Sequence, residues 1–207
     1  MKYDEIYKKD FVWGKDANVY LQKIAPDFCV GTWCLDIGCG QGRDSIFMLK
    51  NGFNVDAIDC SIEGIRKLKT YATETRPESS KSNFICGDVG NFIIKKNKYK
   101  IVNIINVLHF LDKNLALELI DDVKKNIQTG GHVLISNFTT KDPSFKNSKN
   151  KLKCFFKLNE LKNLFCDFEL IEYEEKIVMD KGHLGKEQAH HHGIVSLLAK
   201  RPSFTNN

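Results

Sequence analysis

The 207 residues are 42% hydrophobic and 28% charged, with a formal charge of +5 at pH 7, enough chain for one well-buried domain and short for two. The mild positive charge favours anionic partners without demanding nucleic acid. Seven scattered cysteines with no C-x-x-C pair, a charged Met1-Lys2-Tyr3-Asp4-Glu5 start and no membrane-length apolar run argue against disulfide-stapled, zinc-ribbon, secreted and membrane-spanning classes. The expectation is a cytoplasmic single domain over residues 1–207 whose thiols are free, with Cys34, Cys39 and Cys86 in apolar or tight-turn surroundings.

Residues 1–14 are polar with interleaved aromatics, Tyr3, Tyr7, Phe11 and Trp13. Ala17, Tyr20, Leu21 and Ile24 follow at i, i+3, i+4 and i+7, the spacing of a helix with one apolar face, and Pro26 ends it. Trp13 is either a staple onto the core or, with Gly14, part of a helical N-terminal lid over residues 1–27.

Trp33 to Asp44 reads as a buried strand bearing the acid Asp36, a turn with Gly38, Gly40 and Gly42 at alternate positions, and the start of a helix running from Arg43 to Asn51. Glycine has no Cβ and lets a ligand lie against bare backbone, and the helix start offers unpaired N–H groups. A nucleoside-type cofactor at the carboxyl end of a first parallel strand is the inference. Dinucleotide folds use G-x-G-x-x-G to seat a pyrophosphate. Here the pattern is Asp-x-Gly-x-Gly-x-Gly, and an acid before the turn would repel a pyrophosphate but suits the cationic amino-acid end of S-adenosylmethionine. At these residues the sequence resembles the class I S-adenosylmethionine-dependent methyltransferases, whose first motif has this form.

Phe53 to Asp59 is a second strand ending in an acid about twenty residues past the glycines. A carboxylate there accepts hydrogen bonds from ribose hydroxyls; the alternative is that Asp59 caps the next helix, a role Ser61 can fill. Ile62, Ile65, Leu68 and Ala72 mark that helix, and Pro77 with residues 78–82 an exposed loop. Asn83 to Val89 is the third strand and its exit, and in the resembling family an acid at the place of Asp88 reaches the adenine amino group. The resemblance also puts Cys39, Arg43, Cys60 and Val89 around the cofactor.

Lys100 to Leu111 reads as a fourth strand leaving into a loop, near-continuously apolar as suits a strand covered on both faces. Asn106 to His109 should lie at its carboxyl edge, beside the transferable methyl, and His109 is either a packed core histidine or a wall of the active site. Leu115, Leu119, Ile120, Val123 and Ile127 give an amphipathic helix, and Gly130-Gly131 turn it into strand five, His132 to Phe138. The long polar loop Thr139 to Lys153 precedes a helix around Leu158 to Phe165 and two final strands, Phe168 to Val178 and Gly193 to Lys200, which form an antiparallel hairpin.

Five βα units and a hairpin predict an α/β fold with a doubly wound, mostly parallel seven-stranded sheet. The methyltransferase resemblance implies the Rossmann-like strand order 3-2-1-4-5-7-6 with strand 7 antiparallel. It covers about residues 10 to 201 and is strongest toward the small tellurite-resistance-type methyltransferases, at Leu35 to Ser45, Asn51 to Asp59, Thr129 to His132 and Leu198 to Arg201. It implies S-adenosylmethionine as cofactor and a small-molecule acceptor: a tellurite- or selenite-like oxyanion, a thiol or similar. Basic residues proposed to handle the oxyanion in that subgroup have no clean counterpart here, where a histidine cluster stands instead.

That cluster is His190-His191-His192, with His183 before it. If the tract is extended, only His190 and His192 share a face. Three readings stand: a solvated loop, a metal anchor, or a polar rim that orients an anionic acceptor or takes its proton, since histidine as a residue type titrates near neutrality. The spacing fits no standard zinc pattern, so no metal site is assigned, and His190, His192 and His109 are the candidate catalytic residues. The rivals are an NAD(P)-dependent oxidoreductase, a non-catalytic S-adenosylmethionine-binding regulator, and an RNA or protein methyltransferase. The first lacks its glycine motif. The last has no arginine-rich or aromatic-interleaved basic stripe behind it, only the lysines of residues 141–162. The oligomeric state is left open.

Overall fold

The computed structural model describes residues 2–9, 11–75, 81–147, 152–181 and 188–203. Backbone contacts divide the chain into two units, up to Ile93 and from Ile94. The first holds α1 (Lys2–Tyr7), α2 (Val19–Ile24), β1 (Trp33–Ile37), α3 (Arg43–Lys50), β2 (Asn54–Asp59), α4 (Ile62–Thr75) and β3 (Asn83–Cys86). The second holds β4 (Ile101–Ile105), α5 (Lys113–Asn126), β5 (His132–Phe138), α6 (Glu160–Leu164), β6 (Glu169–Asp180) and β7 (His190–Lys200). The strands form one seven-stranded sheet in the order 3-2-1-4-5-7-6, with β7 antiparallel to β5 and β6, as the resemblance implied. No helix among the described residues is long and apolar enough to cross a membrane.

In the first unit β1 pairs in parallel with β2 and β2 with β3, which brings Ile37 beside Ile58 and Asp59 beside Cys86. Both acid-bearing strand ends therefore finish at one edge. Strands β1 and β2 are buried along nearly their whole length, the pattern of strands covered on both faces. The buried face of α4 is Gly64, Ile65, Leu68 and Ala72. Ile62, expected on that face, is exposed. In the second unit β4 pairs in parallel with β5, and β6 and β7 form the long hairpin, Asp180 opposite His190 and Val178 opposite His192. Tyr99, Phe156 and Phe165 are the largest fully buried side chains there, as Phe53 is in the first unit. β6 carries Glu169, Glu172, Glu174, Glu175, Lys176 and Asp180, charges that discourage further pairing at a sheet edge.

Several expected boundaries move. Helix α1 was not legible, since Lys2–Tyr7 is too short to show a period. Between β3 and β4 the chain forms a 3-10 turn, Val89–Asn91, and no α-helix. The fourth strand stops at Ile105, because Asn106 turns left-handed (φ 58°) and Leu108–Phe110 winds into a 3-10 turn. Strand seven starts at His190, not Gly193, so the histidine tract is strand and not loop. Cys34 and Cys154 are buried, but Cys86 is exposed, because β3 is the edge strand on its side. Pro77 and His183 lie outside the described residues.

Candidate functional site

The glycine turn is fixed from below by β2. Gly38 and Cys39 donate to the Ile58 carbonyl at 2.7 and 3.1 Å. Gly40 donates to Asp59 Oδ2 at 2.8 Å, and Ser61 donates to Asp59 Oδ1 at 2.8 Å. Asp59 thus ties the turn to the start of α4. Burial pushes its carboxyl pKa up, and the N–H groups of Ser61 and Gly40 oppose that. Asp36 is 2% exposed and accepts from Ser45 Oγ at 2.5 Å, so it braces the first turn of α3. Burial, with the charges of Asp36 and Asp59, raises the Cys39 thiol pKa well above its usual value.

The alternate glycines do different work. Gly40 is buried, and a Cβ there would lie 2.9 Å from the Tyr7 hydroxyl, not in open cleft. Gly42 has φ 86°, and a Cβ on it would come within 2.4 Å of Leu68 Cδ1, so it is required by packing of α3 on α4. Gly64 belongs to no motif, yet a Cβ there would lie 2.6 Å from the Gly40 carbonyl oxygen.

The N-terminal segment is bolted to this turn by Gln41, a residue between two glycines with no signal of its own in the sequence. Its Oε1 accepts from Val12 N at 2.8 Å, and its Nε2 donates to the carbonyls of Tyr7 and Lys9 at 3.1 and 2.6 Å. Asp4 Oδ1 accepts from Ser61 Oγ at 2.6 Å, seating α1 on the start of α4. Arg43 binds Asp44 through Nε and Nη2 and reaches the Trp13 carbonyl at 3.5 Å. Asp44 also takes the Asn18 N–H at 2.8 Å, which starts α2. Trp13 itself is 42% exposed. Asp88 is exposed and caps its own turn, accepting from Gly90 N at 2.9 Å, with Val89 buried beside it and Cys60 exposed.

In the second unit Asn106 is exposed at the end of β4 and donates its N–H to Ser136 O at 2.9 Å. His109 is 3% exposed, with its N–H on Asn137 Oδ1 at 2.9 Å, its Nδ1 3.2 Å from the same oxygen, and its ring stacked on Phe138 at 4.5 Å. Burial lowers its pKa to about 4, so the ring is neutral at pH 7. His192 stacks on Phe138 too, at 4.8 Å. Its Nδ1 lies 2.8 Å from Asp142 Oδ2, and its Nε2 lies 2.9 Å from Nε2 of His190. Asp142 is buried, and although burial opposes it, the hydroxyl and N–H of Ser144 together with His192 hold its carboxyl below the ordinary range. Gly193 permits this approach: a Cβ on it would lie 2.6 Å from Asp142 N. Asn137 and Asp142 carried no motif, and only a fold that brings residue 142 against residue 193 reveals them.

The family of the tellurite resistance protein TehB matches residues 21–194. The probable S-adenosyl-L-methionine-dependent methyltransferase TehB of Haemophilus influenzae is 28% identical over 145 residues, 69% of this chain and 48% of that protein. Hemagglutinin 1 of Eikenella corrodens is 27% identical over 169 residues, 81% of this chain and 54% of its own length. The chain spans about half the length of these curated relatives. The crystal structure of TehB from Haemophilus influenzae has the same fold, with a TM-score of 0.74 at 24% identity over 97% of this chain and 67% of that one.

Proposed function

Since the chain belongs to the TehB tellurite-resistance family, we propose that it transfers the methyl group of S-adenosylmethionine to a small acceptor, either a tellurite- or selenite-like oxyanion or a thiol. The observation that carries this reading is the rigid turn from Gly38 to Gly42, held by Asp59 at the shared carboxyl edge of β1 and β2. The residues present fit the cofactor. The N–H groups of Gly40 and Ser61 and the Cys60 thiol engage three of the roughly four acceptor positions of the Asp59 carboxylate, which leaves capacity for a ribose hydroxyl.

The bound cofactor would supply an activated methyl group; the chain's task is to bind, orient and exclude water. In this reading Asp36, occupied by Ser45, acts on the cationic amino-acid end through the backbone of Gly38, Cys39, Gly40 and Gly42. Asp88 takes the adenine amino group, with Cys60 and Val89 alongside. Trp13 and Arg43 rim the cofactor from the N-terminal segment, and Asn106 is assigned to the methyl end. An oxyanion or thiolate attacks through its own lone pair and needs no general base; His190 and His192 are assigned to orient it, and a protonated acceptor would give them its proton.

Calorimetric titration with S-adenosylmethionine, its demethylated product and NAD tests the cofactor. Methyl transfer to tellurite, selenite and a simple thiol tests the acceptor. S-adenosylmethionine should bind in preference to NAD, and Asp59→Ala should weaken it by about 1–3 kcal/mol, the scale for hydrogen bonds to a charged group. Preferential NAD binding would overturn the reading. Cofactor binding with no transfer to any of the three acceptors would move it to a regulatory S-adenosylmethionine-binding protein.

A further inference from the structure

The β6–β7 hairpin carries a cluster, Asp180 with His190 and His192, whose geometry goes beyond orienting an acceptor. Asp180 and His190 are directly opposed across the two strands, and His192 follows two residues on, so all three side chains share one face of the ribbon. Their ligand-type atoms lie within 4.8 Å of one another. The contact between the two imidazoles is the telling one. His190 Nδ1 lies 2.9 Å from the Gln188 carbonyl oxygen, and His192 Nδ1 lies 2.8 Å from Asp142 Oδ2. A carbonyl oxygen only accepts, so His190 Nδ1 donates. Asp142 already accepts from the N–H groups of Ser144 and Gly193 and acts as an acceptor, so His192 Nδ1 donates as well. Both Nε2 atoms then present lone pairs to each other across 2.9 Å. Two lone pairs at that distance repel unless a proton or a cation is shared between them.

We propose that Asp180, His190 and His192 form a binding site for a divalent transition-metal cation of the zinc type, with Asp142 and the Gln188 carbonyl orienting the two imidazoles. Imidazole nitrogens bind zinc at about 2.0–2.1 Å, so two on one tetrahedral ion stand about 3.3 Å apart. The observed 2.9 Å requires the pair to open by only a few tenths of an ångström. Carboxylate–histidine–metal and carbonyl–histidine–metal chains are the usual outer arrangement around such ions, because they fix the Nδ1–H tautomer and make Nε2 more basic. Stacking of His192 on Phe138 at 4.8 Å and 12° further restricts its ring. Three protein ligands leave a coordination position for water or an anion.

The test uses the full chain with zinc alone, in competition with a chromophoric chelator, and with cobalt read by visible absorption; neither cofactor nor acceptor is present, so the result is independent of methyl transfer. One ion per chain is expected, with a cobalt spectrum free of thiolate charge-transfer bands. The double variant His190→Gln, His192→Gln should lose the site. Asp142→Asn should keep one-to-one binding and weaken it by about 10–100-fold, the scale for outer-shell partners. Histidine side-chain nitrogen NMR of the unmodified protein provides a check that no variant's folding can confuse: zinc should shift His190 and His192 and leave His109 in place. No binding at micromolar zinc, undiminished binding in the double variant, or unmoved His190 and His192 resonances would each overturn the proposal.

Discussion

Two buried aspartates organise the two units, and they do so from opposite distances in sequence. Asp59 gathers the backbone N–H groups of Gly40 and Ser61, nineteen and two residues away. Asp142 gathers Ser144 N two residues away, and also the His192 ring and Gly193 N fifty and fifty-one residues away. In the first unit a carboxylate fixes the shape of a backbone turn; in the second it fixes the orientation of a side chain. The lesson is that an acid braces whichever groups the strand ends deliver to it. Parallel β1 and β2 deliver neighbouring loops, whereas the antiparallel β5–β7 pairing delivers residues from distant parts of the chain.

The comparison breaks most severely at Gly42. Valine there combines a left-handed φ with a Cβ 2.4 Å from Leu68 Cδ1, and backbone strain plus overpacking of a core amount to about 2–5 kcal/mol. Urea unfolding should show that loss, and Gly42→Val with unchanged stability would mean that α3 and α4 are not packed through this turn.

Acid separates the units next. His109 is held neutral, with its pKa lowered to about 4 by burial, whereas an unfolded histidine titrates near 6.5. Between those values the unfolded chain binds a proton that the folded chain refuses, so stability is whole above about pH 6.5 and falls as pH drops to about 4, by roughly 3 kcal/mol in all. Urea midpoints measured across that range should follow this slope, and His109→Gln should flatten it. A slope that persists in the variant would assign the acid sensitivity to other groups.

The gentlest probe is Gln41→Ala. It removes the side chain that holds Val12, Tyr7 and Lys9, at a cost of about 1–2 kcal/mol for buried hydrogen bonds lost. Amide exchange should quicken in residues 3–13 while β1 and β2 remain protected. Uniform exchange along the chain would show that Gln41 is no local bolt.

Much of the fold was legible because its signals are local. The Asp-x-Gly-x-Gly-x-Gly run, the acid at Asp59 and the apolar strands each act within a few residues, so composition and spacing expose them. The short helix α1 and the early end of β4 at Asn106 were not legible, since each depends on what packs against it. The same division runs through the site. Alternation alone put His190 and His192 on one face, because side chains in any strand alternate.

The sequence by itself determined where the glycine turn lies, which acids flank it, and which class of sheet carries it, since each follows from backbone geometry and residue type at short range. The tertiary structure decided that Gly42 serves helix packing, that Gln41 holds the N-terminus, and that Asp180 and Asp142 belong with the histidines. Those assignments depend on packing and strand register, which bring Gly42 against Leu68, Gln41 against Val12, Asp180 opposite His190 and Asp142 against Gly193, and no local pattern in the chain encodes those meetings.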